Sequence, residues 1–237
     1  FCHVFSKIVN QKIAKSPYED VRLGLKKWCH YLKKFGLGTT LGIDIPGEKS
    51  GFIPDVPFYD KHYGKGRWNA STIRSLDIGQ GELLLTPLQM ANFAVILANE
   101  GHYYTPHLAK QVGERMILPE EVGKHEVNIE QAHFAFVANA MQETVESGTA
   151  WRACIQGLEV CAKTGTVENL HGQDHSVCIA FAPKKNPQIA MAVYVENAGW
   201  GSRAAASIAG LILEKYLKGD EGCARLQDYV LKGDFSH

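Results

Sequence analysis

Residues 158–196 read LEVCAKTGTVENLHGQDHSVCIAFAPKKNPQIAMAVYVE, and the fold turns on how this stretch is divided. Three apolar runs, 158–164, 176–182 and 188–196, are separated by polar residues, which is the pattern of short strands bounded by turns. The polar turn Lys184-Lys185-Asn186-Pro187 joins the second and third runs as an antiparallel hairpin. Along the third run Ile189, Met191, Val193 and Val195 occupy one parity and Ala190, Ala192 and Tyr194 the other. Successive side chains of a strand point to opposite faces, so both faces of this sheet need cover. A helix over residues 203–217, with Ala205, Ile208, Ala209 and Ile212 as its apolar stripe, covers one of them. The other falls to earlier helices or to material upstream. The expectation is one antiparallel sheet of the three strands with that helix packed on it, an α+β arrangement.

Upstream, a helical pattern over residues 21–35 stops at Gly36, and residues 37–67 are rich in Gly and Pro with little periodicity, the mark of a long irregular connection. Thr86-Pro87-Leu88-Gln89 places an N-cap, a first-turn proline and a capping-box glutamine before Ala91, Ala94, Val95 and Ala98, and Gly101 ends that helix. Asn128 with Gln131 repeats the device for a helix with Ala132, Phe136, Ala140 and Met141 on one face, ending near Gly148. Val4, Phe5, Ile8 and Val9 recur at helical spacing from the start, with no cap, initiator Met or leader pattern. The chain is therefore read as a segment of a longer protein that extends upstream of Phe1. Residues 218–237 read as a polar C-terminal tail, and there is no internal repeat.

Composition excludes several functions. With 25 Lys+Arg against 25 Asp+Glu in 237 residues the net charge is zero, so nothing attracts a polyanion and nucleic acid is excluded as a partner. At 45% hydrophobic residues the chain is globular, with one or two domains. The longest uncharged stretch, 83–99, contains Pro87, Gln89 and Asn92 and falls short of the ~20 apolar residues that a membrane helix needs. The six cysteines (Cys2, Cys29, Cys154, Cys161, Cys178, Cys223) show neither a C-x-x-C pair nor zinc-finger spacing, and they read as buried, inert thiols rather than a disulfide framework or metal site.

Chemistry concentrates at Lys163-Thr164-Gly165-Thr166, at the end of the first strand. Lysine brings a cation, the threonines bring hydroxyls, and glycine permits close approach of another group. Alternation sets Lys163 and Gly165 on one face and Thr164 and Thr166 on the other. His171, Asp174 and His175 follow in the next loop, where the H-x-x-D-H pattern suits loop hydrogen bonding better than a metal ion. Trp200, between Gly199 and Gly201, reads as a strand-end anchor on the core, with the mouth of a cleft as the other reading.

Taken together, "LGIDIPGEKS" (41–50), "IGQGELLLTPLQMAN" (78–92) and "KTGTVENLHGQDHSVCIAFA" (163–182) resemble the class B penicillin-binding proteins, D,D-transpeptidases of peptidoglycan synthesis, whose signatures include K-T-G beside S-x-x-K. "TPLQMA" after "IGQG", followed by "DHSVCIAFAP", is most similar to the elongation-type branch, penicillin-binding protein 2. The resemblance implies an antiparallel sheet flanked by helices, truncated here on its N-terminal side, with the K-T-G strand lining the active-site cleft. Residues 1–217 would be the C-terminal portion of the transpeptidase domain and 218–237 the tail.

Carried over, the family roles make Lys163 a source of positive potential. Thr164 and Thr166 bind the carboxylate of D-Ala-D-Ala or of a beta-lactam, Gly165 gives room, and the backbone N–H of Thr166 is one oxyanion-hole donor. No S-x-x-K occurs in the 237 residues; Ser71-Thr72-Ile73-Arg74 is nearest and ends in arginine. Ser75-Leu76-Asp77 fits an assisting S-x-D by letters only. No catalytic nucleophile is therefore assigned to this chain, and no metal or cofactor is expected. The resemblance further implies peptidoglycan stem peptides and beta-lactams as ligands, and a glycosyltransferase partner for the parent protein. It places that parent at the periplasmic face of the inner membrane, attached only through an N-terminal anchor outside this sequence. The rival readings are a beta-lactamase or beta-lactam sensor, which shares K-T-G, and a non-catalytic binding or scaffolding module.

Overall fold

A computed structural model describes residues 2–117, 121–219, 224–233 and 235. Phe1 and Cys223 therefore lie outside the described residues. The chain divides into two compact units, the first taking residues up to 86 together with 106–110, the second the remainder.

In the first unit helix α1 (Cys2–Val9) packs on α2 (Pro17–Lys34). Helix α2 starts four residues before the sequence pattern suggests, because Ser16 accepts a hydrogen bond from Glu19 N (3.3 Å) and Pro17 fits the first turn. Gly24 sits mid-helix because a Cβ there would stand 2.3 Å from Ile8 O and 2.5 Å from Val9 Cα, so only glycine lets the two helices touch. Phe5, Val9, Val21, Leu25, Val56 and Tyr59 form part of the core beside them.

The segment expected to be wholly irregular contains helix α3 (Val56–Tyr63), capped by the Asp55 carboxylate accepting from Phe58 N at 3.0 Å. Its proline, in the first turn where no N–H is needed, belongs to the helix rather than opposing it. The remaining coil of this unit is held by carboxylates that collect backbone N–H groups. Glu48 accepts from Leu41, Gly42 and Ile43 (2.6, 2.9 and 3.2 Å), and Asp44 from Leu108 and Ala109 (both 2.8 Å). Buried Asp20 accepts from Lys12, Ile13 and Ala14 (2.6, 3.0 and 3.2 Å). These bonds to the charged form hold the Asp20 and Asp44 carboxyls below the ordinary carboxylate range.

The second unit opens with helix α4 (Pro87–Ala98), then strand β1 (His102–Tyr104), the hairpin β2 (Gln111–Val112) and β3 (Arg115–Met116), and β4 (Lys124–Glu126), which pairs with β1. Helix α5 (Gln131–Glu146) follows. Asn128 is not its cap: that residue takes a positive φ of 54°, and Glu130 occupies the cap position without a side-chain bond. The buried face of α5 carries Phe134, Met141 and Val145, while Phe136 is exposed, because the face is chosen by the elements the helix meets, β5 and α4.

Strands β5 (Cys161–Val167), β6 (His175–Ala182) and β7 (Ile189–Val195) form one antiparallel sheet in that order, as the three apolar runs imply. Helix α6 (Ala204–Lys218) packs on it. Ala162, Cys178, Ala180 and Ala182 of the sheet meet Ala205, Ala206, Ala209 and Leu213 of the helix. The contacting stripe is thus turned away from Ile212, which is exposed, because small residues on both sides let the helix sit close and push the larger side chain to the rim. By alternation Phe181, Ala190 and Ala192 face the opposite side, and α4, in contact with β6 and β7, supplies the second cover. After Lys218, where a polar tail was expected, residues Ala224–Lys232 form a helix, α7, that contacts α6 and buries Leu226.

Two outcomes follow for stability. Leu213 is fully buried between α6 and the sheet, so Leu213→Ala should cost about 2–5 kcal/mol in urea unfolding. Asp20 and Asp44 have folded pKa values below their unfolded values of about 3.9, so what they contribute is complete above that pH and is lost as the pH falls from there through the lowered folded values. The urea midpoint should drop on acidification below about pH 4, and Asp20→Asn should flatten that dependence while lowering the midpoint at pH 7.

Candidate functional site

Strand β5 is at one edge of the three-stranded sheet and carries Lys163-Thr164-Gly165-Thr166. Its partners across the ladder are Ile179, Cys178, Val177 and Ser176, so Lys163 and Gly165 share one face and Thr164 and Thr166 the other, as alternation requires. Lys163 is exposed and its Nζ donates to Thr164 O at 2.5 Å.

The two hydroxyls have different neighbours. Thr164 Oγ1 lies 2.7 Å from Thr149 Oγ1, in the turn after α5. Thr166 Oγ1 accepts from Gly201 N at 3.2 Å, in the loop that leads into α6. That loop is fastened from below by Ser176, fully buried, whose Oγ donates to Trp200 O (3.0 Å) and accepts from Ala205 N (2.9 Å). The turn after α5 is fastened by Thr144 Oγ1, 2.5 Å from Ala162 O.

Close approach at this strand depends on Gly201 rather than Gly165. A Cβ on Gly201 would stand 2.2 Å from Gly165 O and 2.8 Å from Val177 O, whereas a Cβ on Gly165 would meet only Val177 Cβ at an ordinary 3.7 Å. Trp200 is 67% exposed, so the core-anchor reading fails: its carbonyl, not its ring, makes the attachment, and the indole stands in solvent beside β5. Trp151, half exposed beneath the Arg152 guanidinium (4.4 Å to the ring), flanks the same region, since Arg152 Nη1 donates to Ser202 O at 3.4 Å.

The Asp174 and His175 side chains serve the loop, and His171 joins it through its backbone N–H, which donates to Asn169 Oδ1 at 3.0 Å. Asp174 Oδ1 accepts from Asn169 N (3.2 Å), and His175 Nδ1 accepts from Asn197 N (3.1 Å) while its ring lies against Tyr194. No three metal-binding side chains come together among the described residues. Cys29, Cys161 and Cys178 are buried, and burial pushes the thiols of Cys161 and Cys178 up to about 12, so these behave as core residues. Cys154 departs from that expectation and is exposed. Ser75-Leu76-Asp77 belongs to a 3-10 turn of the first unit, with Leu76 and Asp77 buried.

A cavity of about 310 Å³ lies at the end of β7, lined by Val195, Glu196 and Asn197 with Gly233 and Phe235, and none of Lys163 to Thr166 lines it. One cation and two hydroxyls on an edge strand suit an anionic group on an extended ligand: the charge attracts it, the hydroxyls bind it, and the strand edge offers main-chain pairing. Sequence patterns name Lys163 to Thr166 but not Thr149, Ser176 or Gly201. Thr149 and Gly201 lie outside the quoted motifs and Ser176 lies inside one without a role assigned to it; all three are recruited by packing.

The family model described as the penicillin binding protein transpeptidase domain matches residues 5–214. The chain is 31% identical over 218 residues to the peptidoglycan D,D-transpeptidase MrdA of Haemophilus influenzae, covering 82% of this chain and 33% of that protein. To MrdA of Escherichia coli strain K12 it is 30% identical over 219 residues, 84% of this chain and 34% of that one. It thus spans about a third of the length of these curated relatives. Among solved structures, Pseudomonas aeruginosa PBP2 in complex with WCK 5153 superposes with a TM-score of 0.74 at 28% identity, covering 92% of this chain and 48% of that chain.

Because the obstructing atoms are backbone carbonyls, Gly201→Ala should force the loop off β5. We expect a loss of about 2 kcal/mol in unfolding free energy, on the scale of overpacking, together with a shift in the emission of the neighbouring Trp200. An unchanged melting curve and spectrum would contradict the packing described for this loop.

Proposed function

Because the chain belongs to the penicillin-binding protein transpeptidase family, we propose that it is the C-terminal part of an elongation-type peptidoglycan D,D-transpeptidase and forms the substrate-binding wall of a serine acyl-transfer site. The observation that carries this reading is the presentation of Lys163, Thr164 and Thr166 together on the edge strand β5.

The chemistry divides between this chain and another segment. A serine oxygen attacks the carbonyl between the two D-alanines; the tetrahedral oxyanion collapses, the terminal D-alanine leaves with a proton, and the acyl-serine passes to an acceptor amine. A beta-lactam acylates the same serine by opening of its ring. Lys163 supplies positive potential for the terminal carboxylate, the Thr164 and Thr166 hydroxyls bind it, and the Thr166 N–H is one donor to the oxyanion, a contact worth about 3–4 kcal/mol in acyl transfer. Gly165 leaves room on the Lys163 face of the strand, opposite the two hydroxyls. The nucleophile is not among these 237 residues, which hold no S-x-x-K, and a serine attack needs a base-activated hydroxyl that the binding strand does not replace.

In this reading stem peptides and beta-lactams are the ligands and a glycosyltransferase is the partner of the whole protein, which works at the periplasmic face of the inner membrane. No helix among the described residues is long and apolar enough to cross a membrane.

Incubated with a fluorescent penicillin, the 237-residue chain should form no covalent adduct, whereas a longer chain that also carries the S-x-x-K segment should be labelled. In the longer chain, Lys163→Ala should slow acylation at least about tenfold and Thr166→Pro, which removes the N–H, about 100-fold, with circular dichroism confirming the fold. Acylation of the 237 residues alone at a defined serine would overturn the division of labour.

A further inference from the structure

We propose that Thr149 is a positioning residue that holds the Thr164 hydroxyl as a hydrogen-bond donor toward the ligand's terminal carboxylate. This rests on the reading of Thr164 given under Proposed function and adds a residue that no sequence motif marks.

The two hydroxyl oxygens are 2.7 Å apart, so one donates to the other. A threonine hydroxyl has one proton and two lone pairs, and a carboxylate only accepts. When Thr164 gives its proton to a carboxylate, its oxygen is left to accept, and Thr149 is the donor in place to supply that bond. The direction of the pair is then set as Thr149 to Thr164 to carboxylate, and each bond polarises the next.

Thr149 is also held where a positioning group must be held. Gly148 N and Ala150 N both donate to Thr144 O (3.1 and 2.9 Å), closing the turn on the end of α5. A Cβ on Gly148 would stand 2.8 Å from Thr144 Cα, and Ala150 is fully buried. Thr144 Oγ1 reaches Ala162 O at 2.5 Å, which ties this turn to β5 two residues before Thr164 on the same face of the strand. The hydroxyl pair therefore joins two elements already fixed to each other, the condition under which a hydrogen bond orients a group instead of merely tethering a loop.

The test compares the binding of acetyl-D-alanyl-D-alanine and its C-terminal carboxamide to the 237-residue chain by amide NMR titration, with melting temperatures measured alongside. The unmodified chain should prefer the carboxylate at least about tenfold, the worth of one charge-assisted hydrogen bond. Thr149→Val, which keeps the shape and removes the hydroxyl, should reduce that preference to within about threefold, and Thr149→Ser should restore it. Thr149→Ala serves as a second deletion if the valine disturbs the turn. Loss of preference with an unchanged melting temperature, rescued by serine, supports the proposal. If the deletions keep the full preference, Thr149 only braces the turn and the proposal fails while the function stands. If the unmodified chain shows no preference for the carboxylate, the assigned role of Thr164 fails, and this inference with it.

Discussion

The seating of α6 on the alanine-lined face of the β5–β6–β7 sheet is the contact on which the second unit depends. Ala162, Ala180 and Ala182 against Ala205, Ala206 and Ala209 leave little bulk at the centre of the contact, with Leu213 filling it further along the helix, so the helix comes close and its N-terminal loop is delivered against the edge strand. Ser176, buried under that loop, converts proximity into position by bonding Trp200 O and Ala205 N at once. A larger residue at any of these alanines would lift the helix, and with it the Gly201 contact to Thr166.

The first unit is held in another way. Much of it is coil, whose backbone donors have no ladder to join, and its carboxylates take the place of one. Glu48 gathers three N–H groups of its own loop, Asp44 reaches two at residues 108–109, and Asp20 closes the turn between α1 and α2. Because a carboxylate serves several donors only while ionised, this unit carries an acid sensitivity that an alanine-packed sheet does not share. Asp60 adds a polar centre, accepting from Tyr18 Oη and Trp68 Nε1 beside Arg22, and so fixes the edge-on contact of those two rings.

Strand β5 sets a cation and two hydroxyls at a sheet edge, and what surrounds it decides how firmly they are held. The turn after α5 and the loop before α6 approach β5 from separate parts of the chain, each pinned by a buried or doubly bonded side chain. The hydroxyls of Thr164 and Thr166 are thereby oriented by groups outside their own strand, and the exposed rings of Trp151 and Trp200 stand at its flank. The cation and the hydroxyls lie on the strand; their geometry is imposed by its neighbours.

The amino-acid sequence by itself determined the three strands, the hairpin and the helix after residue 203, and it singled out Lys163 to Thr166 as the candidate site, because period-two apolar runs, turn residues and a short motif are local signals. It also carried the family, through three motifs that recur together. It did not determine which stripe of α6 or α5 is buried, the helix hidden in residues 56–63, or the partners of the two hydroxyls. Those depended on tertiary structure for one physical reason: a helix face is chosen by the surface it meets, and a hydrogen bond between Thr149 and Thr164, or between Gly201 and Thr166, exists only once separate elements are packed to within about 3 Å of each other. Nothing in the spacing of those residues along the chain encodes that distance.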